Sequence, residues 1–184
     1  MKKTAIILLV AIATAFMAFK STEDKLVSKN VHINFFSHTD VEDITADNYK
    51  AISTIDKTTG EVVFSVPMQS FEFEKALMQK HFNNKSFLHT KKFPKSKFVG
   101  KITNLSAINF SKDGVYPTTV TGNLTLKDVT KSITETGTIT VKTGTIEVNT
   151  KMKVKLADYG ITFSDGKPST NIAKELDVKI ISTY

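Results

Sequence analysis

Four histidines, His32, His38, His81 and His89, are the side chains of this sequence best suited to proton transfer or metal binding. Either chemistry needs two of them, or one with a carboxylate, brought to a common point. His32 and His38 share the polar parity of one extended run, but six residues of strand hold them about 20 Å apart. His81 and His89 flank the end of a helical segment, and no spacing matches a chelating pair such as H-E-x-x-H. All four read as exposed polar side chains. Among the acids, Glu72 and Glu74 point to different helix faces, and Asp158 sits in a turn where its carboxylate serves the backbone. The chain carries no G-x-S-x-G, phosphate-loop or dinucleotide fingerprint. It also lacks cysteine, which removes disulfides, thiolate zinc sites and cysteine nucleophiles. No metal, no cofactor and no enzymatic activity is expected.

The densest chemical feature is cationic. All 25 basic side chains are lysines, and against 18 acids they give a formal net charge of +7. Lysine attracts anions as a point charge, whereas base-edge recognition leans on the planar arginine fork that this chain lacks. Binding of single strands by a barrel would need aromatics beside the basic residues on an exposed strand face, and most phenylalanines here alternate inward. No nucleic-acid partner is expected. Lys85, Lys91, Lys92, Lys95, Lys97 and Lys101 crowd one loop region. One reading is a solvated loop that keeps an apolar barrel soluble. The other is a site, centred on Lys91, Lys92 and Lys95, for an anionic head group or for transient contact with an anionic membrane surface.

These side chains need a scaffold, and 184 residues with 40% apolar and 23% charged composition suit one domain with a real core. Residues 1–20 read as a secretory signal peptide: Lys2 and Lys3 form a basic start, and Ala5 to Ala18 is an apolar run too short for the roughly 20 residues of a membrane span. Ala13-Thr14-Ala15 fits the cleavage rule, and cuts after Ala18 or at Ser21 fit as well. Removing Lys2 and Lys3 from the formal +7 leaves +5 on the mature chain. A periplasmic or secreted product is expected, with residues 21–184 as its one domain.

Beyond the signal the dominant period is two. Val31, Ile33 and Phe35 alternate with polar residues, as do Val62, Phe64, Val66 and Met68, and Ile146 to Leu156 is the cleanest run. Turn signals such as Lys57-Thr-Thr-Gly60, Lys112-Asp-Gly114, Lys142-Thr-Gly144 and Ser164-Asp-Gly-Lys-Pro168 separate the runs. Eight strands follow, near 29–37, 49–56, 61–70, 97–108, 115–127, 132–142, 145–157 and 173–183. One segment, 71–82, has helical spacing through Phe73, Ala76, Leu77 and Lys80, with Glu72 and Glu74 at its positive end. The predicted fold is a mainly β, eight-stranded antiparallel lipocalin-like barrel with one short helix, since such a sheet must hide its edges by closing or stacking.

Three passages strengthen this reading. Residues 71–82 lead to Lys92-Phe-Pro-Lys-Ser-Lys-Phe-Val-Gly100, then comes Thr121-Gly-Asn-Leu-Thr-Leu-Lys-Asp-Val-Thr-Lys131, then Ala157-Asp-Tyr-Gly-Ile161. Their order resembles the YceI-like family over about Val27 to Ser182. Asp128 departs from the family's usual glycine, and Phe73-Glu74 replaces an Arg-Asp pair often seen at the helix start. The resemblance implies a barrel that sequesters a long apolar chain, a polyisoprenoid or quinone-type lipid.

A barrel of about eight strands either fills with side chains or holds one small ligand. In the ligand reading the inward face supplies the lining: Phe35, Phe64, Val66, Met68, Phe98, Ile102, Leu124, Leu126, Ile139, Val148, Met152, Val154 and Val178, with Phe73, Leu77 and Phe82 as a lid. The expected function is that of an exported lipid-binding protein, carrying or sequestering its ligand without chemistry. The rival is a packed, stress-protective or structural barrel that acts through surface protein contacts. Pairing through an edge strand or the helix would give a homodimer, which nothing in the pattern demands.

Overall fold

Each alternating run becomes a strand, and all of them join one antiparallel sheet. The computed structural model describes residues 24–161 and 171–184; the expected signal peptide and the Ser164–Pro168 turn lie outside the described residues. Its strands are β1 (Lys25–Ser28), β2 (Asn30–His38), β3 (Asp43–Asn48), β4 (Ile52–Asp56), β5 (Glu61–Pro67), β6 (Phe71–Phe73), β7 (Lys95–Ile102), β8 (Gly114–Leu126), β9 (Val129–Lys142), β10 (Thr145–Lys155) and β11 (Glu175–Thr183). One helix, α1 (Ala76–Asn83), lies between β6 and β7. The order across the 11-stranded sheet is β1-β4-β5-β7-β8-β9-β10-β11-β2-β3-β6.

Eleven strands replace the expected eight because three long strands are broken. Lys25 pairs with Asp56 and Ser28 with Ser53, and the same register carries on to Ile33 with Asn48 and His38 with Asp43. β1 with β2, and β3 with β4, are therefore the arms of one long hairpin, interrupted at Lys29 and at 49–51. β5 and β6 are a third such strand, split by a 3-10 turn at Met68–Ser70. Counting each broken strand once restores eight. At every break the neighbours change: β1 lies against β4 alone, whereas β2 sits between β3 and β11.

These breaks give the sheet two unlike ends. At one, Ser28 Oγ donates to the Thr183 carbonyl at 2.6 Å, and Ser53 Oγ lies 2.7 Å from both Ser182 Oγ and the Tyr184 hydroxyl. Those bonds tie β1 and β4 to β11. Val31, Ile55, Val62, Ile102, Ile139, Val141 and Ile146 pack this end shut, all buried. At the other end β5 follows β7 as far as Pro67 opposite Lys95, with Met68 N–H donating to the Pro94 carbonyl at 2.9 Å. There β6 turns away to pair with β3, leaving a half-barrel whose gap is spanned by α1 and residues 84–94.

The helix differs from its expected bounds. Phe71 and Phe73 also satisfy a period of two, and pairing with Asn48 and Ala46 of β3 takes them into the sheet. α1 begins only after Lys75, with no side-chain cap and no acid in its first turn, so Glu72 and Glu74 precede the helix. The run expected over 97–108 stops at Ile102 and gives way to a 3-10 turn at Leu105–Ala107.

Candidate ligand cavity

Above the packed end the inward faces enclose a cavity of about 610 Å³, open at the half-barrel end. Its wall is built level by level from strand parity. β2 contributes Ile33, Phe35 and Ser37; β5 with the turn after it, Val66 and Met68; β8, Leu124 and Leu126; β10, Met152 and Val154; β11, Leu176, Val178 and Ile180. Between β8 and β10 the wall is Leu156 and Ile161, because β10 leaves β9 after Thr150 pairs with Gly137. The volume falls within the usual range for small-molecule pockets.

The polar atoms on this wall are few and mostly used. Ser37 Oγ accepts from the Ala173 N–H at 2.8 Å, and Ser96 Oγ donates to the Thr125 carbonyl at 2.8 Å. Asn171 Nδ2 reaches Glu42 Oε2 at 3.5 Å. His81 and Ser86, both exposed and both on the helix side of the mouth, complete the polar set. The interior therefore presents hydrocarbon to whatever enters.

One side chain docks the helix. Phe82 is the buried residue of α1, and its ring centre lies 5.0 Å from Phe73, 5.4 Å from Phe71, 5.8 Å from Phe35 and 6.2 Å from Phe87. Leu77, on the same helix, lines the mouth while 60% exposed. A charged clamp lies alongside: Lys75 Nζ is 2.8 Å from Glu42 Oε1. The hydrogen bond from Lys75 holds the Glu42 carboxyl below its ordinary range and raises the lysine in return.

Of the residues expected to line a pocket, Phe35, Val66, Met68, Phe73, Leu77, Phe82, Leu124, Leu126, Met152, Val154 and Val178 are on the cavity wall. Phe64, Phe98, Ile102, Ile139 and Val148 are not: they pack beneath it, at the closed end. Their parity is inward, but parity carries no depth, and the packed end uses the same face. Sequence reasoning missed other residues of the wall, among them Ile33, Leu176 and Ile180 on strands whose neighbours it chose, and Ile44, Phe71 and Phe87. Phe71 was hidden by the helical reading and Ile44 by the polar run around it, although Ile44 and Ala46 do alternate.

Lys91, Lys92 and Lys95 are exposed and stand outside the wall; Lys92 Nζ lies 5.0 Å from the Phe93 ring centre, and Lys95 precedes wall residue Ser96. Of the histidines expected as exposed polar side chains, His38 and His81 are exposed and His32 and His89 half-buried, and the two on the first strands have carboxylate partners. His32 Nε2 is 2.6 Å from Asp47 Oδ1 and its ring stacks on Tyr49, while His38 Nδ1 is 2.6 Å from Asp43 Oδ1. Among the described residues no cluster of three or more His, Asp or Glu could hold a metal ion.

A curled antiparallel barrel, packed at one end and hollow and apolar at the other, defines a lipocalin-like class of protein. The YceI-like domain model matches residues 16–183, and the chain belongs to that family. No curated protein matches it. Among solved structures it is similar to a polyisoprenoid binding domain from Saccharophagus degradans implicated in plant cell wall breakdown, with a TM-score of 0.73 and 14% identity over 88% of this chain and 97% of that one. It is similar too to BcnA of Burkholderia cenocepacia, with a TM-score of 0.69 and 17% identity over 84% and 96%. A YceI protein of Campylobacter jejuni matches at a TM-score of 0.55 and 18% identity over 73% and 78%.

Proposed function

We propose that this is an exported lipid-binding protein that sequesters or carries a long apolar chain of the polyisoprenoid or quinone type, without chemistry. The observation that carries this reading is the cavity itself: about 610 Å³, walled by hydrocarbon, with its buried polar atoms on Ser37 and Ser96 bonded to the protein. Such a wall gains roughly 0.8 kcal/mol per methylene removed from water and needs no polar group along the ligand. The polyisoprenoid-binding neighbour supports the ligand class, and the basic, apolar N-terminal segment supports export. Leu77 at the mouth and the lysines at 91, 92 and 95 suit transient docking on an anionic membrane during loading.

Native mass spectrometry of protein purified from the envelope of its own host, with extraction of what co-purifies, tests the proposal. One lipid per chain is expected. A bare mass that stays bare after incubation with host lipid extract overturns it. For the docking step, reversing Lys91, Lys92 and Lys95 to glutamate should slow uptake from anionic vesicles more than from neutral ones.

A further inference from the structure

The cavity has a floor, and the floor rests on one ring. The inward row of β7 reads Ser96, Phe98, Gly100, Ile102, and that of β8 reads Leu126, Leu124, Gly122, Val120. Register places Phe98 opposite Leu124 and Gly100 opposite Gly122. The Phe98 ring fills the space above both glycines: a Cβ on Gly100 would stand 2.5 Å from its Cζ, and one on Gly122 2.7 Å from the same atom. An aromatic laid over strand glycines replaces the side chains they lack. On β7 the wall ends at Ser96, one inward step above Phe98, and on β8 at Leu124, directly opposite Phe98. Phe64 stands directly opposite Phe98 on β5, so two rings lie side by side below the wall.

We infer that Phe98 sets the length of the cargo, and that this chain takes a single chain of about twenty carbons, head outward. The length follows from 610 Å³ at roughly 30 Å³ per water-sized group. The orientation follows from the wall: the polar side chains not hydrogen-bonded to the protein, His81 and Ser86, are at the mouth, and the rings of Phe64 and Phe98 lie directly below the wall at its far end. Longer isoprenoids enter only in part and leave their remaining units in water. The inference rests on the lipid-binding reading.

The test measures the affinity of full-length protein for linear prenyl alcohols, from geraniol through farnesol and geranylgeraniol to solanesol. In the native protein, each isoprene unit up to geranylgeraniol should tighten Kd by roughly tenfold or more, and later units should add nothing. Phe98→Ala should uncover the Gly100–Gly122 surface and move the plateau one unit further, a phenyl ring and an isoprene unit being similar in size. Phe98→Leu, a gentler change, should extend it less and guards against a variant that fails to fold. Continued tightening to solanesol in the native protein, or an unmoved plateau in both folded variants, overturns the length limit and leaves lipid binding standing. Failure of every prenyl alcohol to bind overturns both.

Discussion

Replacing Phe82 with alanine separates the helix from the barrel. α1 has eight residues and no side-chain cap, and Phe82 is its buried residue. A helix that short is not stable by itself in water. A Phe→Ala change in a core usually costs about 3–5 kcal/mol, and four neighbouring rings surround this one. That cost exceeds what about two docked turns can supply, so the variant should release α1 and stop losing stability there. Global stability in urea should fall by less than about 3 kcal/mol. Hydrogen exchange should show amides of 76–83 losing protection by about 100-fold or more, since each 1.4 kcal/mol is tenfold, and lipid should dissociate faster. A full core-sized loss of global stability with α1 still protected would refute this, placing Phe82 in the barrel core and not in a lid.

Four further changes probe the rest of the molecule. Val148→Trp should overpack the closed end and destabilise it by about 1–3 kcal/mol, whereas Leu124→Trp, facing free volume, should block ligand uptake with a smaller shift in the urea midpoint; equal shifts would contradict the two-ended description. Glu135 faces inward opposite Val120, and burial pushes its carboxyl above the ordinary range. Its ionised form is thus penalised by folding at neutral pH, so Glu135→Gln should raise Tm there, and the gain should vanish below the ordinary carboxylate range, where the group is protonated folded and unfolded alike. Burial likewise raises the Tyr184 phenol: stability should be level below the ordinary phenol range and decline as pH rises through it, and Tyr184→Phe should flatten that decline in alkaline melts while costing about 1 kcal/mol at neutral pH for the lost bond to Ser53.

Strand parity was legible wherever apolar residues alternate without interruption, as in Val62 to Met68 or Ile146 to Leu156. β3 was not, because its inward positions are Ile44, Ala46 and Asn48. Asn48 is wholly buried, donating to the Pro67 carbonyl and accepting from the Lys50 N–H; an asparagine satisfied by tertiary partners looks like a loop residue in sequence. At each of the three breaks the inward parity shifts by one, from Ser28 to Val31, from Asn48 to Ser53 and from Val66 to Phe71, and such a shift looks in sequence like an ordinary turn between separate strands. For the cavity, the face could be read and the depth could not. Phe64 and Val66 are identical in parity, yet one is floor and the other wall, and only the glycines at 100 and 122 hint where a ring must lie.

The bonds that close the packed end reach far along the chain: Ser28 to Thr183 spans 155 residues, and Ser53 to Ser182 spans 129. Loops of that size are slow to close, and their entropy must be met before the contacts return anything. The packed end therefore cannot shut before β11 has been made, because the bonds of Ser28 and Ser53 to residues 182–184 wait for it. A polypeptide with this order of events stays open until that strand is made, and the hollow exists only once β11 is in place.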